Sequence, residues 1–379
     1  MKAVAKNFAL VVASILVSLA LFEIVLVLTG TYKELASQDL RLSPAIWERP
    51  RNAVERHRHP DLKVPIEIVY DDDGVRNHDR VSTSAKRNIV GFFGDSFTEN
   101  RRIENRFTFV RLLDELAGGK FRMVNFGVDA YGVDQNYLRY LKYRHLDIHT
   151  VVYVLCENDL RNLYEAGITT LGADGKVKFL QPRANRTLRI LGKFRTPYVA
   201  ISAYHQARAL IKKSLPGNRD YSDRLFRVAD RFSAARKAQK KRLRDDFAES
   251  LVTDITGPSP SPQTLKLART FKAVLAKWKA DVTADGRRFL IVVLPRPDDR
   301  DVAGKLVGRD PSGVLYLSDF MGDYAAHRFK YDVHWHELGN LAAARVIRSS
   351  ALFSTYFGEV DPAPLFQDRE RAIAEYYRR

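Results

Sequence analysis

The chain has 379 residues, of which 45% are hydrophobic and 28% are charged, a composition typical of an ordered globular protein with a large core. Its single cysteine, Cys156, excludes an intrachain disulfide. The formal net charge of +17 favours an acidic partner such as nucleic acid, anionic lipid headgroups or a polyanionic glycan.

Residues 1–30 are predicted to form a membrane anchor. Residues 8–29, FALVVASILVSLALFEIVLVLT, contain one acid, Glu23, and roughly 20 apolar residues cross a bilayer core as a helix. Lys2 and Lys6 precede this run, so the positive-inside rule keeps the N-terminus in the cytoplasm. A cleaved signal peptide is the alternative, disfavoured because the run is longer than a usual signal core. We therefore expect a single-pass protein of the bacterial inner membrane, with its main domain on the periplasmic or extracytoplasmic side and no nucleic-acid partner.

Residues 31–87 are predicted to be a tether that leads into the core. The segment is polar and mixed, and it contains four scattered prolines. Its histidines, His57, His59 and His78, are expected to be exposed to solvent.

From residue 88 onward, short apolar runs alternate with helical patterns. The runs predict strands at residues 88–93, 121–126, 150–155, 288–294 and 313–317, and the patterns predict helices at residues 107–116, 134–144, 263–282 and 339–349. Strands rich in Val, Ile and Leu that alternate with helices indicate a parallel sheet covered on both faces. We therefore predict an α/β core built from residues 88–160 and 263–379, with a C-terminal helix in the second part.

Residues 161–262 interrupt this alternation and are predicted to form a basic, helical insertion or lid. A hairpin turn is indicated within residues 171–176, and a proline-rich linker at residues 257–262 closes the segment. Between them, residues 224–244 are strongly basic. A solvated helix face is the alternative interpretation of these charges.

Four short polar segments are the candidates for a reactive site. Three directly follow predicted strands, namely Gly94-Asp95-Ser96, residues 125–132 and residues 156–159, and the fourth, residues 331–335, precedes a predicted helix. Sites in open α/β sheets form at the carboxyl ends of the strands, so these segments are expected to converge at one edge. For each segment taken alone a turn is the alternative, since Gly, Asp and Ser are common turn residues.

The residue types in these segments fit acyl transfer through a serine. Ser96 needs a base within hydrogen-bond reach to act as a nucleophile, and His334 is the candidate. Asp332 would hold the imidazole tautomer and stabilise the imidazolium. The oxyanion needs preformed donors, for which the candidates are the Ser96 N–H, a backbone N–H in the second segment and the Asn158 side-chain amide.

In this order, the four segments resemble the motifs of the SGNH, or GDSL, hydrolase superfamily over about residues 88–160 and 262–352. That family has Gly-Asp-Ser after the first strand, then an Asn-x-Gly-like turn, then Gly-x-Asn-Asp, and an Asp–His element near the C-terminus. The resemblance implies a flavodoxin-like three-layer α/β/α sandwich with a parallel central sheet. The catalytic residues that it implies are the nucleophile Ser96, the base His334 and its partner Asp332. The oxyanion donors that it implies are Asn158, Ala130 or a nearby amide, and Gly127 as the less secure candidate.

The chain departs from the family pattern at two places. Cys156 stands where the third motif usually has Gly, and Asp332 lies two residues before His334, whereas the common spacing is three. The element Asp-x-His-Trp, followed by Gly339, is similar to that of membrane-associated polysaccharide O-acetyltransferases such as the alginate-modifying ones.

We therefore expect a membrane-anchored serine acyl enzyme, an esterase or O-acyltransferase acting on ester groups of cell-surface or secreted polysaccharide, with no cofactor and no metal. The expected partners are an anionic polysaccharide or lipid headgroups and a membrane acyl-donor protein. Glu23 either pairs with a polar group of such a membrane protein or simply reaches water. A hydrolase of lipids or small esters is the enzyme alternative. The non-enzyme alternative is an accessory subunit that binds glycan or membrane through its basic insertion.

Other residues near the four segments allow rival interpretations. Asp332, His334 and His336 alternate along the chain and would share one face of an extended backbone, as metal ligands can. No fourth ligand is evident, so the metal interpretation is disfavoured. Arg101 and Arg102 are either surface charges or a grip on an anionic substrate. Cys156 is disfavoured as a nucleophile because nothing basic flanks it.

Overall fold

The structure is a computed structural model that describes residues 48–49, 51–77, 82–180, 250–357 and 361–378, with a few helical positions among residues 14–25. The chain divides into two compact units, and the unit made of residues 51–181 and 247–379 contains the central sheet. Most of the predicted anchor, the first part of the tether and the basic residues 224–244 lie outside the described residues. In the part of the chain that is described, no helix combines the length and the apolar character needed to cross a membrane.

The described residues contain nine strands: β1 Val54–Arg58, β2 Pro65–Val69, β3 Ile89–Gly94, β4 Arg122–Asn125, β5 Ile148–Leu155, β6 Thr169–Leu171, β7 Val177–Phe179, β8 Arg288–Val293 and β9 Val314–Tyr316. Five of them form one parallel sheet in the order β4-β3-β5-β8-β9. These are the five predicted strands, confirmed to within two residues at each end. The other four strands form two antiparallel hairpins, and the hairpin β6–β7 contains the predicted turn.

Helices connect and flank these strands: α1 Ser96–Glu99, α2 Phe109–Leu116, α3 Val133–Tyr143, α4 Asn158–Ala166, α5 Pro262–Ala284, α6 Pro297–Leu306, α7 Glu337–Ser349 and α8 Ala363–Arg378. Helices α2, α3, α5 and α7 confirm the four predicted from the sequence, and α8 is a further helix that follows them. Helix α5 begins where its pattern indicates, because the Ser261 side chain accepts a hydrogen bond from the Thr264 N–H and Pro262 occupies the first helical position.

The sheet is apolar on both faces, and helices cover each face. Along β3, Val90 and Phe92 belong to one hydrophobic cluster, with side chains of α2, α7 and α8. Ile89 and Phe93 belong to the other cluster, with side chains of α3 and α5. This two-residue alternation is what a strand buried on both faces requires. The result is an α/β fold with a five-stranded parallel sheet flanked by helices, compatible with a three-layer sandwich.

Part of the predicted tether is folded. Residues 54–69 form the hairpin β1–β2, and Ile66 and Ile68 on one of its faces are buried. The prediction that His59 is exposed is wrong, because this side chain is fully buried beside Glu337 of α7. His57 is one-third exposed, and His78 lies outside the described residues.

Candidate active site

Ser96 stands at the point where β3 ends and a short helix, α1, begins. Gly94 permits this close junction, because a Cβ atom there would collide with the Thr98 hydroxyl. Asp95 caps the helix, and its carboxylate accepts a hydrogen bond of 2.9 Å from the Phe97 N–H. Ser96 is thereby held at the carboxyl end of the sheet, with 6% of its surface exposed.

The structure brings Ser96, His334 and Asp332 together, although 238 residues separate the serine from the histidine. His334 Nε2 lies 2.7 Å from Ser96 Oγ. On the other side of the ring, Nδ1 is hydrogen-bonded to Asp332 Oδ1, which also accepts a hydrogen bond of 2.9 Å from the His334 backbone N–H. With Nδ1–H donated to Asp332, Nε2 is the nitrogen that can accept the serine proton.

Electrostatics keep the Asp332 carboxylate ionised. Burial acts to raise its pKa, but the hydrogen bonds from His334 and the charge of Arg102 outweigh burial, so the pKa lies well below its usual range. Arg102 Nε lies 3.4 Å from Asp332 Oδ2. An ionised carboxylate at this position orients the imidazole and stabilises it when it carries a proton.

The oxyanion candidates differ in how their N–H groups are used. Asn158 is the first residue of α4, and its side-chain amide is a hydrogen-bond partner of the buried Asp95 carboxyl beside Ser96. Burial raises the pKa of that carboxyl, and the hydrogen bond with Asn158 opposes this rise. Ala130 has a left-handed backbone with φ of 61°, and no hydrogen bond to its N–H is found within the described ranges. Gly127 does not fit the role, because its N–H already donates to Asn125 Oδ1 at 3.0 Å.

The predicted role of Gly127 is therefore corrected to packing. A Cβ atom at this position would lie 2.7 Å from the Thr98 Cβ and 2.5 Å from the Glu99 N. Only glycine lets the turn after β4 approach the helix that carries Ser96 this closely.

No protein-family model matches the chain, and no curated protein matches it. Function is therefore inferred from the sequence motifs and from the geometry of the site.

Sequence reasoning missed a cluster of side chains around the imidazole. The Phe97 ring packs on the His334 ring at a centroid distance of 4.7 Å. The Arg296 guanidinium lies 5.0 Å from the Phe97 ring centroid and forms an ion pair with Glu157, the residue before Asn158. Arg296 follows the end of β8, so the rule that sites form at the carboxyl ends of strands would have found it.

The rival interpretations fare differently in the structure. The His336 ring caps α7, with Nδ1 accepting a hydrogen bond of 3.2 Å from the Gly339 N–H. Its ring does not form a metal-ligand cluster with Asp332 and His334, since the only such cluster of ligand atoms in the described part of the chain is Asp71 to Asp73.

Arg101 is paired with Glu55 at 2.7 Å rather than left open to a substrate. Cys156 is fully buried, and the Arg296 guanidinium lies 2.8 Å from its Sγ.

Proposed function

We propose that this protein is a serine acyl enzyme, in which Ser96 takes an acyl group from an ester and passes it to water or to a hydroxyl acceptor. The observation that carries the proposal is the contact of 2.7 Å between Ser96 Oγ and His334 Nε2, with Asp332 bonded to the opposite ring nitrogen. This is the arrangement that turns a weakly nucleophilic hydroxyl into a nucleophile.

In the acylation step, His334 Nε2 takes the proton of the Ser96 hydroxyl while Oγ attacks the ester carbonyl carbon. The oxyanion that forms is stabilised by the Ser96 N–H, by the Ala130 N–H and by the Asn158 side-chain amide. When the tetrahedral intermediate collapses, the bond to the leaving alkoxide breaks, and the alkoxide takes the proton from the imidazolium. Ser96 is left as an acyl ester.

In the second step, the acceptor hydroxyl gives its proton to His334 and attacks the carbonyl carbon of the acyl-serine. The bond to Ser96 Oγ breaks, and the serine regains the proton. Water as acceptor makes the protein an esterase, and a sugar hydroxyl makes it an O-acyltransferase. Neither outcome requires a cofactor.

We place the chain in the SGNH hydrolase superfamily, with a flavodoxin-like three-layer α/β/α sandwich. The support is the order of the four motifs along the chain and the parallel sheet at whose carboxyl end they lie. The apolar run at residues 8–29 and the net charge of +17 support a bacterial inner-membrane anchor and an anionic partner outside the cytoplasm. The proposed substrates are ester groups of cell-surface or secreted polysaccharide.

A serine-reactive fluorophosphonate tests the acyl-enzyme proposal on the full-length protein. We expect one adduct, on the peptide that contains Ser96, and no adduct in Ser96→Ala or His334→Ala. The exposed Ser312, replaced by Ala, is the matched control and should label like the wild type. Wild-type protein that does not label, or Ser96→Ala that labels at the wild-type rate, would overturn the proposal.

A second assay separates the two acceptors. The protein is incubated with an acetyl ester, with and without an anionic polysaccharide, and both free acetate and polymer-bound acetate are measured. Bound acetate that depends on Ser96 assigns a transferase, whereas free acetate alone assigns an esterase.

A charge reversal tests the anionic partner. The apparent KM for the polymer should rise, with cleavage of a small neutral ester unchanged, when Glu replaces Arg236, Lys237, Lys240 and Lys241.

A further inference from the structure

The tip of the hairpin β1–β2 is fastened to the loop that carries Asp332 and His334. We define the hairpin tip as residues 59–64 and the histidine loop as residues 328–336. Asp61 in the tip accepts hydrogen bonds from two successive backbone N–H groups of the loop: Lys330 N at 3.0 and 3.1 Å, and Tyr331 N at 3.3 Å. These are the last two amides before Asp332.

The same hairpin tip also contacts Glu337, the first residue after the histidine loop. His59 Nε2 lies 3.2 Å from Glu337 Oε1, and both side chains are almost fully buried. The Leu62 N–H donates to His59 Nδ1 at 3.0 Å, so Nε2 carries the proton and donates it to Glu337. Tyr377 of α8 donates to the other carboxylate oxygen at 2.9 Å. The histidine loop is thus fastened on both sides of the reactive pair.

Within the histidine loop, the Asp332 carboxylate is held by the backbone N–H and the ring of His334. Two cross-loop backbone hydrogen bonds close the loop, from Phe329 N to His334 O at 3.0 Å and from His336 N to His327 O at 3.2 Å. Its turn is open to solvent, with Tyr331 67% and Val333 52% exposed. Solvent-exposed backbone with few buried contacts is the part of a protein that opens most easily. Contacts from outside the loop, among them the direct contact of Arg102 with Asp332, therefore help to keep Asp332 on the imidazole.

The base of the hairpin contacts the serine segment as well. Glu55 of β1 is buried and accepts hydrogen bonds of 2.7 and 2.9 Å from Arg101, which lies shortly after α1. Tyr70, directly after β2, donates a hydrogen bond of 2.8 Å to Glu99 of α1. One hairpin therefore contacts both chain segments that supply the reactive groups.

We propose that Asp61 is a positioning residue for the Asp332–His334 pair, and this inference rests on the proposed serine acyl chemistry. Asp61 does not belong to the reacting set. It fixes the two amides before Asp332, so the carboxylate stays on His334 Nδ1 while the imidazole accepts and returns the serine proton. A misplacement of about 1 Å in such a group can cost about 10²-fold in rate.

Two variants of Asp61 separate its hydrogen bonds from its charge. Asp61→Ala removes both hydrogen bonds, whereas Asp61→Asn keeps an amide oxygen that can replace Oδ1, the atom that accepts from both Lys330 and Tyr331. The matched control is Glu67→Ala, which removes an exposed carboxylate from the same hairpin, where it pairs with the exposed Arg56. All proteins are full-length.

Hydrogen–deuterium exchange of the peptide that spans residues 328–337 reports the fastening without any need for activity. We expect faster exchange in Asp61→Ala, with Asp61→Asn and Glu67→Ala close to the wild type. Labelling with the fluorophosphonate should slow by about tenfold or more in Asp61→Ala, and kcat for a small ester should fall with KM little changed. Asp61→Asn should recover most of the rate.

The two measurements distinguish the failure of each proposal. Unchanged exchange in Asp61→Ala overturns the fastening, whatever the kinetics show. Faster exchange with wild-type labelling and kcat overturns the positioning role. If exchange is faster in Asp61→Ala but the wild-type protein never labels, the fastening stands and the proposed acyl chemistry is overturned. The positioning role is then overturned as well, because it depends on that chemistry.

Discussion

The side-chain amide of Asn100 donates a hydrogen bond of 3.1 Å to the backbone carbonyl oxygen of Trp335. Asn100 caps the end of α1, four residues after Ser96, and Trp335 directly follows His334. The bond joins the serine segment to the histidine loop inside the protein, since both residues are fully buried. Asn100 also has a left-handed backbone with φ of 43°, a conformation in which Asn and Gly are favoured.

Asn100→Gly isolates this bond, because glycine keeps the left-handed backbone and removes only the side chain. The buried Trp335 carbonyl then loses its partner, so the free energy of unfolding should fall by about 1–3 kcal/mol, and labelling of Ser96 should slow. The matched control is Asn52→Gly at an exposed left-handed asparagine, which should change neither quantity. Chemical denaturation and fluorophosphonate labelling measure both effects, and wild-type labelling by Asn100→Gly would show that the bond does not align the pair.

Asn158→Ala should slow turnover of a small ester by about 10²–10³-fold, the usual cost of removing one oxyanion donor. The loss should appear in kcat rather than in KM, because the oxyanion forms only in the transition state. Steady-state kinetics on the purified protein provide the measurement. A loss of less than about threefold would mean that backbone amides alone form the oxyanion hole.

The parallel sheet and the meeting of Ser96, Asp332 and His334 could be predicted because both follow from local patterns. Apolar runs of strand length identified the five strands, and the rule that parallel strands end at one edge placed Ser96 there. Asp332 and His334 follow no strand, and they were assigned to the same edge through the resemblance of their Asp–His element to the family motif. The spacing of two residues between Asp332 and His334 leaves room for Asp332 to bond both the backbone and the ring of His334.

The first strand of the hairpin β1–β2 and its tip could not be predicted because the side chains buried there, Glu55 and His59, are polar. Glu55 and His59 are buried in ion pairs and hydrogen bonds with residues distant in the chain, the His59 partner lying 278 positions away. Nothing local marks such pairing, and a charged or imidazole side chain is usually exposed. The use of the Gly127 N–H by the Asn125 side chain, two residues earlier, could not be predicted for a different reason, since the geometry of the folded turn decides which acceptor this N–H meets.

Arg296→Met should reduce turnover of a small ester, because it removes the contacts that hold residues 156–159, the third motif. Arg296 pairs with Glu157 and contacts Cys156, and these two residues immediately precede the oxyanion candidate Asn158. Arg296→Met leaves the Glu157 carboxylate, 16% exposed, without this ion pair, so a second change, Glu157→Gln, should restore part of the loss. The double-mutant cycle should show a coupling of about 0.5–3 kcal/mol in kcat/KM and in unfolding free energy. Additive effects would mean that the pair does not position Asn158.

Asp134 should make stability fall as the pH rises. It is fully buried in the first turn of α3, and burial raises the pKa of its carboxyl to about 6, against the hydrogen bonds from the Thr169 hydroxyl and the Gln135 N–H. Below a pH of about 4 the Asp134 carboxyl is protonated in both the folded and the unfolded chain, so it does not make the free energy of unfolding depend on pH. Between about 4 and 6 the unfolded chain has lost this proton and the folded chain has kept it, so the free energy of unfolding falls with rising pH and levels off above.

Asp134→Asn removes this dependence, so the unfolding free energy of the wild type relative to the variant should fall between pH 4 and pH 7. Since each pH unit between the two pKa values corresponds to about 1.4 kcal/mol, the fall should be on the order of 3 kcal/mol. Thr169→Val removes a hydrogen bond that favours the ionised carboxylate, so it should extend the fall above pH 6. Chemical denaturation of the three proteins at pH 4, 5, 6 and 7 gives the comparison. A wild-type curve parallel to that of Asp134→Asn over this range would show that Asp134 is ionised in the folded protein throughout.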